Sequence, residues 1–199
     1  MELLFKNKTK NIFAIASSAM YFISLVITII QGGVSLTLQS AICLLMAAGV
    51  GVFLFAILTA KMDYGLKRHI FTISFGLMAV AYLVSSIAAF ITILFYLEEP
   101  LVVAIFAMNF VVLIAHIFCF VAARFEFRYP KILRTGALLY IAATLLLLLL
   151  DFIRLGGFEY FASLPDGVAA ISISSVIRTV IILMFYASLF LLATNKDSE

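Results

Sequence analysis

The residue in this sequence with the clearest chemical potential is Arg178, a lone guanidinium inside the apolar run Val168–Ala193. It stands about ten residues into that run, so in a helix it lies roughly 15 Å deep, near mid-bilayer. An arginine facing lipid there costs at least about 2.5–3.5 kcal/mol, so it is expected to face other helices and to find a polar partner. Ser174 and Ser175 precede it by four and three residues and share its side of the helix. Ser172 and Thr179 add hydroxyls nearby. Two roles fit. One is an anion-binding site, for instance for a substrate carboxylate. The other is a structural pair with Asp151 on the preceding helix, reached by snorkelling.

Asn109 lies at a similar depth on another span, and His116 follows seven residues later on the same helical face. Together they draw a polar line facing the bundle. With His116 as its titrating member, that line is a candidate proton or substrate path. The plainer reading is interhelical hydrogen bonding, worth about 0.6–2 kcal/mol per bond. The candidate ligand-binding set is therefore Arg178, Asn109, His116 and Asp151. Asp151 and Arg154, at i,i+3, also read as an ordinary surface pair. Glu98 and Glu99 are adjacent, share no helical face and read as a solvated turn.

Templates for catalysis and cofactors are absent. The sequence holds no G-x-S-x-G elbow, no H-E-x-x-H helix, no P-loop and no C-x-x-C. Its two histidines, His69 and His116, fall at very different depths, which argues against a bis-histidine haem. The expectation is a protein that is not an enzyme and uses neither a metal nor another cofactor. Cys43 and Cys119 sit inside spans and differ in depth by roughly 14 Å, too far for a disulfide.

What must position these residues is a set of six apolar runs: Ile12–Ile30, Val34–Ala60, His69–Leu97, Leu101–Ala123, Ile132–Ile153 and Val168–Ala193. Each has about the twenty residues a helix needs to cross roughly 30 Å of hydrocarbon. Hydrophobic residues are 66% and charged residues 12%, far from a soluble domain. The fold class is thus an all-α integral membrane protein, one six-transmembrane-helix bundle over residues 1–199. The first run is too long for a signal peptide and reads as a retained helix.

Charge orients the bundle. Eleven of the thirteen basic residues lie at the N-terminal side of the spans, with Arg154 alone on the other side and Arg178 within a helix. The opposite side carries Glu98, Glu99, Asp151, Glu159 and Asp166. The positive-inside rule makes both termini cytoplasmic, in a plasma membrane. The basic loops suit topology and anionic lipid; without a basic face away from the bilayer, no nucleic-acid partner is expected.

Leu155–Gly167, with Phe158, Tyr160 and Phe161, reads as an interfacial outer loop. The inner turns Ala60-Lys61-Met62-Asp63-Tyr64 and Ala123-Arg124-Phe125-Glu126-Phe127 match position by position. This suggests three helical hairpins, although topology rules alone also generate such turns. Ala81, Ser85 and Ala89 form a small-residue stripe, Ala14 and Ser18 another, and Gly49 and Gly51 loosen the second span.

In size, span count and the Ala14-x-x-x-Ser18 stripe the chain resembles the substrate-binding subunits of energy-coupling-factor vitamin importers; no functional residue carries over. Two main functions are expected. The first is a solute-binding or transport subunit with a polar intrabundle site around Arg178. The alternative is an accessory or regulatory membrane protein that binds a protein partner, or a second copy of itself, through its helices. A cavity reaching Arg178 favours the first.

Overall fold

The computed structural model describes residues 8–31, 37–59, 64–125, 127–154 and 166–194, with backbone alone for 64–65 and 166–174. The helices are α1 (Lys8–Gln31), α2 (Leu38–Leu58), α3 (Tyr64–Phe95), α4 (Pro100–Arg124), α5 (Pro130–Arg154) and α6 (Asp166–Ala193). All six are long and apolar enough to cross a membrane, and no strand occurs among the described residues. Their bounds follow the six apolar runs within a few residues.

Local chemistry explains several helix ends. Thr37 precedes α2 in an extended conformation, and its hydroxyl accepts the Ser40 amide at 3.3 Å. Pro100 and Pro130 open α4 and α5, where a missing N–H costs nothing and the fixed φ already suits a helix. The connection from α3 to α4 is tight, with the Glu99 amide donating to the Tyr96 carbonyl at 3.0 Å.

Each helix packs on its neighbours in chain order, and α6 returns to α1, closing a ring of six. Short connections make consecutive helices antiparallel. Lys10 of α1 donates to the Thr194 hydroxyl after α6 at 3.2 Å, so the start of α1 and the end of α6 meet at one end of the bundle, here the termini end. The helices join α2 to α3 and α4 to α5 as closely as within each expected hairpin, so the structure does not mark three separate hairpins.

In hydrocarbon, hydroxyls must be satisfied by protein. Most bond back to their own helix: Ser18 to the Ala14 carbonyl, Thr72 to Arg68, Thr92 to Ala88 and Ser188 to Phe185. Three on α3 instead reach across. Ser74 donates to the Gly49 carbonyl of α2 at 2.7 Å, and Ser85 and Ser86 donate to Asn109 of α4. They tie α3 to both neighbours with bonds that lipid cannot replace.

Gly49 is a tight contact rather than a loosened point: a Cβ there would meet Met78 Cγ at 2.7 Å and the Ser74 carbonyl at 2.9 Å. Ala14, Ser18, Ala81 and Ala89 are buried inside the ring, as their stripes imply. Large apolar side chains such as Ile23, Phe55, Phe90 and Leu149 stay exposed around the outside, a surface matched to lipid.

The termini end is filled by rings. Phe53 packs edge-on against Phe71, Phe75 and Phe185 at centroid distances of 5.4, 5.6 and 5.4 Å. Phe127 adds a fifth ring from the α4–α5 connection, 5.6 Å from Phe71. Its φ is 53°, in the left-handed region that a bulky side chain avoids. Its amide donates to the Ala122 carbonyl at 2.7 Å, and that bond together with the ring's burial holds the conformation.

The segments 32–36, 60–63 and 155–165 and residue 126 lie outside the described residues, and with them the expected interfacial loop and the full comparison of the two inner turns. Cys43 and Cys119 are buried free thiols, as their depths require.

Candidate functional site

Above the phenylalanine cluster, toward the end opposite the termini, the ring encloses a cavity of about 550 Å³. Five helices line it. Tyr21 and Leu25 come from α1, and Gln39, Ile42, Cys43 and Met46 from α2. Tyr82, Ser85 and Thr92 come from α3, Phe106 and Asn109 from α4, and Arg178 and Ile182 from α6. The exposed residues Leu38 and Gln39, in the first turn of α2, stand at its rim.

Arg178 and Asn109, placed at matching depth by sequence, thus meet in one chamber. Arg178 is half-buried, and its one hydrogen-bond contact among the described residues is long and weak, Nη2 to Cys43 Sγ at 4.0 Å. A thiol is a poor acceptor for a group with five N–H donors. Asn109 is anchored: Nδ2 donates to the Phe106 carbonyl at 3.2 Å and Oδ1 accepts from Ser85 at 3.3 Å. Its main-chain carbonyl accepts from Ser86 at 3.1 Å. The amide's second N–H keeps no protein acceptor among the described residues.

The structure does not bring Asp151 to Arg178. Asp151 is exposed on α5, a helix that contributes nothing to the cavity. It forms no ion pair with Arg178 or Arg154 among the described residues. Depth arithmetic put Asp151 above Arg178, but depth carries no information about where on the helix circumference a residue sits. The hydroxyls expected to accompany Arg178 on its own helix also stay out. Thr179 donates to the Ser175 carbonyl at 3.0 Å and neither residue lines the cavity; the side chains of Ser172 and Ser174 lie outside the described residues. The polar company of Arg178 comes from α1, α2, α3 and α4.

His116 is 1% exposed and lies beneath the cavity, not in its wall. Its Nδ1 contacts the Val112 carbonyl at 2.8 Å. A carbonyl only accepts, so Nδ1 carries the proton. In the neutral ring Nε2 then accepts from the Tyr186 hydroxyl, at 2.5 Å. Three tyrosines complete a tetrad. Tyr82 stacks on His116 at 4.1 Å, Tyr140 stacks on Tyr186 at 3.5 Å, and the Tyr82 and Tyr140 hydroxyls bond at 2.8 Å. Tyr82 belongs to both places, its side chain lining the cavity and its ring covering the imidazole.

Sequence reasoning missed Tyr21, Tyr82, Tyr140 and Tyr186. The signal was present: tyrosine in a span normally sits at an interface, and these four fall well inside their helices. It also weighed Cys43 only as a disulfide partner, whereas Cys43 is the neighbour of Arg178. The cavity therefore offers one cation, the two amides of Gln39 and Asn109, a few hydroxyls and apolar walls, an arrangement suited to holding a small molecule. Compared with known protein families, curated proteins and solved structures, the chain matches none.

Proposed function

We propose that the protein is a solute-binding or transport subunit, without catalytic activity of its own, whose site is the intrabundle cavity around Arg178 and Asn109. The observation that carries this reading is the cavity itself: the mid-helix arginine reaches a chamber of ligand size, about 550 Å³, and pairs with no carboxylate among the described residues. A purely structural arginine at that depth would be expected to hold a carboxylate or a backbone carbonyl, and among the described residues Arg178 makes a hydrogen-bond contact only with the Cys43 thiol. The rival role, docking a protein through small-residue stripes, draws less support, since Ala14, Ser18, Ala81 and Ala89 are already buried within the bundle.

The test uses material the protein retains through purification. Small molecules extracted from purified wild type and from Arg178→Leu are compared by untargeted mass spectrometry. Arg178→Leu is expected to insert and to elute as wild type does from a sizing column, yet to lose a co-purifying solute. Identical extracts from the two proteins would refute the proposal. Asp151→Asn, an exposed change, is expected to shift stability by less than about 0.5 kcal/mol, alone or added to Arg178→Leu. Rescue of the arginine variant by the aspartate change would instead restore the structural ion pair.

Orientation belongs to the same proposal. With eleven of the thirteen bases assigned by sequence to the N-terminal side of the spans, both termini are cytoplasmic and the cavity opens toward the outer face of a plasma membrane. Reporter fusions at Glu99 should then read exterior, and those at Tyr129 and the C-terminus cytoplasm. The reverse sidedness would turn the cavity toward the cell interior.

A further inference from the structure

Resting on the reading of the cavity as a solute site, we propose that its occupant is a carboxylate on an apolar body, a monoanion seated against Arg178 with its apolar part between α1, α2 and α4. Charge sets the first limit. Arg178 is the one formal charge lining the cavity among the described residues. A cation held in a low-dielectric chamber is stabilised by one opposite charge, whereas a dianion would leave an excess negative charge there. The planar guanidinium also matches a carboxylate through two parallel N–H···O bonds. Cys43, its present neighbour at 4.0 Å, offers no comparable acceptor.

The walls set the second limit. Of the hydroxyls that could greet a sugar or polyol, Ser85 donates to Asn109 at 3.3 Å, Thr92 to the Ala88 carbonyl at 3.0 Å, and Tyr82 is bonded to Tyr140 at 2.8 Å. A solute rich in hydroxyls would bury polar groups without partners. Leu25, Ile42, Met46, Phe106 and Ile182 instead present apolar surface. Asn109 retains an N–H for one carboxylate oxygen. The tyrosine–histidine tetrad and the phenylalanine cluster fill the termini end, so entry is from the opposite end.

Cys43 supplies the test, since its thiol lines the cavity beside Arg178. Protein in detergent is alkylated with N-ethylmaleimide, and modification at Cys43 is followed by peptide-resolved mass spectrometry while candidate occupants compete. The probes are octanoate against octanamide, and hydrocinnamate against hydrocinnamamide. The first pair represents a membrane-derived acyl chain and the second a water-borne aromatic acid. The acid of at least one pair is expected to protect Cys43 at a concentration at least about tenfold below its amide, the discrimination a charge-assisted pair supplies. Arg178→Gln should abolish that preference and Arg178→Lys should keep part of it, both proteins eluting as wild type does.

Equal protection by acid and amide, or a preference that survives in Arg178→Gln, overturns the carboxylate while leaving a solute site. Labelling of Cys43 that no probe slows also overturns it. A Cys43 that never reacts in folded protein, though Cys43 and Cys119 both react after denaturation, removes the accessible cavity and with it the solute-binding reading.

Discussion

Replacing Gly136 with valine is expected to cost about 3 kcal/mol or more and to leave little folded protein in detergent. Gly136 lies on α5 where it crosses α4. A Cβ there would stand 2.8 Å from the Ala115 carbonyl oxygen, 3.0 Å from Phe118 Cβ and 3.1 Å from Cys119 Sγ. The first of these is backbone, so relief requires moving a helix rather than rotating a side chain. Valine then adds two methyl groups to a space that has no room for one carbon. Gly136→Ala should cost less, because better helix propensity returns up to about 1 kcal/mol.

The internal control is a pair of glycines on α2. Gly49→Ala meets the Ser74 carbonyl at 2.9 Å and disturbs the Ser74 bond to the Gly49 carbonyl, so it should destabilise. Gly51→Ala meets only the edge of the Phe22 ring, at 3.0 Å, which can rotate away. It should be neutral or slightly stabilising. Thermal unfolding in detergent, read as the loss of the monodisperse sizing peak, ranks the variants. A Gly136→Val protein as stable as Gly51→Ala would mean that α4 and α5 do not approach as described.

These glycines also mark how far sequence alone reaches. The six spans were legible because each apolar run meets the length of the bilayer. The meeting of Arg178 with Asn109 was legible through depth, since rise per residue is fixed. Azimuth was not legible. Beyond short stripes such as Ala14/Ser18 and Asn109/His116, nearly every position in these helices is apolar, so little shows which side of a helix such as α5 or α6 faces inward. That is why Asp151 was expected to pair with Arg178 from above, although it stands exposed on α5, a helix that does not line the cavity. It is also why Gly49 and Gly51, two residues apart, looked alike although one abuts backbone and the other a mobile ring. The closure of α6 on α1 had no local signal. It rests on contacts between residues as far apart as Lys10 and Thr194.

His116 was singled out for the right reason, an ionisable group inside a span, and its environment now permits a sharp expectation. His116→Leu should destabilise the protein by about 2–4 kcal/mol, through lost ring stacking on Tyr82 and a stranded Tyr186 hydroxyl. Tyr186→Phe should cost less, about 1–2 kcal/mol, because one interhelical hydrogen bond is lost and Nε2 is left without a donor. The two changes share a single bond, so their costs should not add. In the double variant neither the hydroxyl nor the imidazole remains to be left unsatisfied, and the combined loss should fall short of the sum by about 1 kcal/mol.

The same variants separate a structural role from a path for protons or solute. The imidazole is closed off from the cavity by the Tyr82 ring, so Tyr186→Phe should leave acid-dependent protection of Cys43 at the wild-type concentration. Were His116 part of a path that opens to the cavity, that protection would shift in Tyr186→Phe. Sub-additive stability with unchanged protection instead fixes the tetrad as the rigid floor of the cavity. It joins α3, α4, α5 and α6 beneath Arg178, and its hydrogen bonds are satisfied within the ring, where no water is available to replace them.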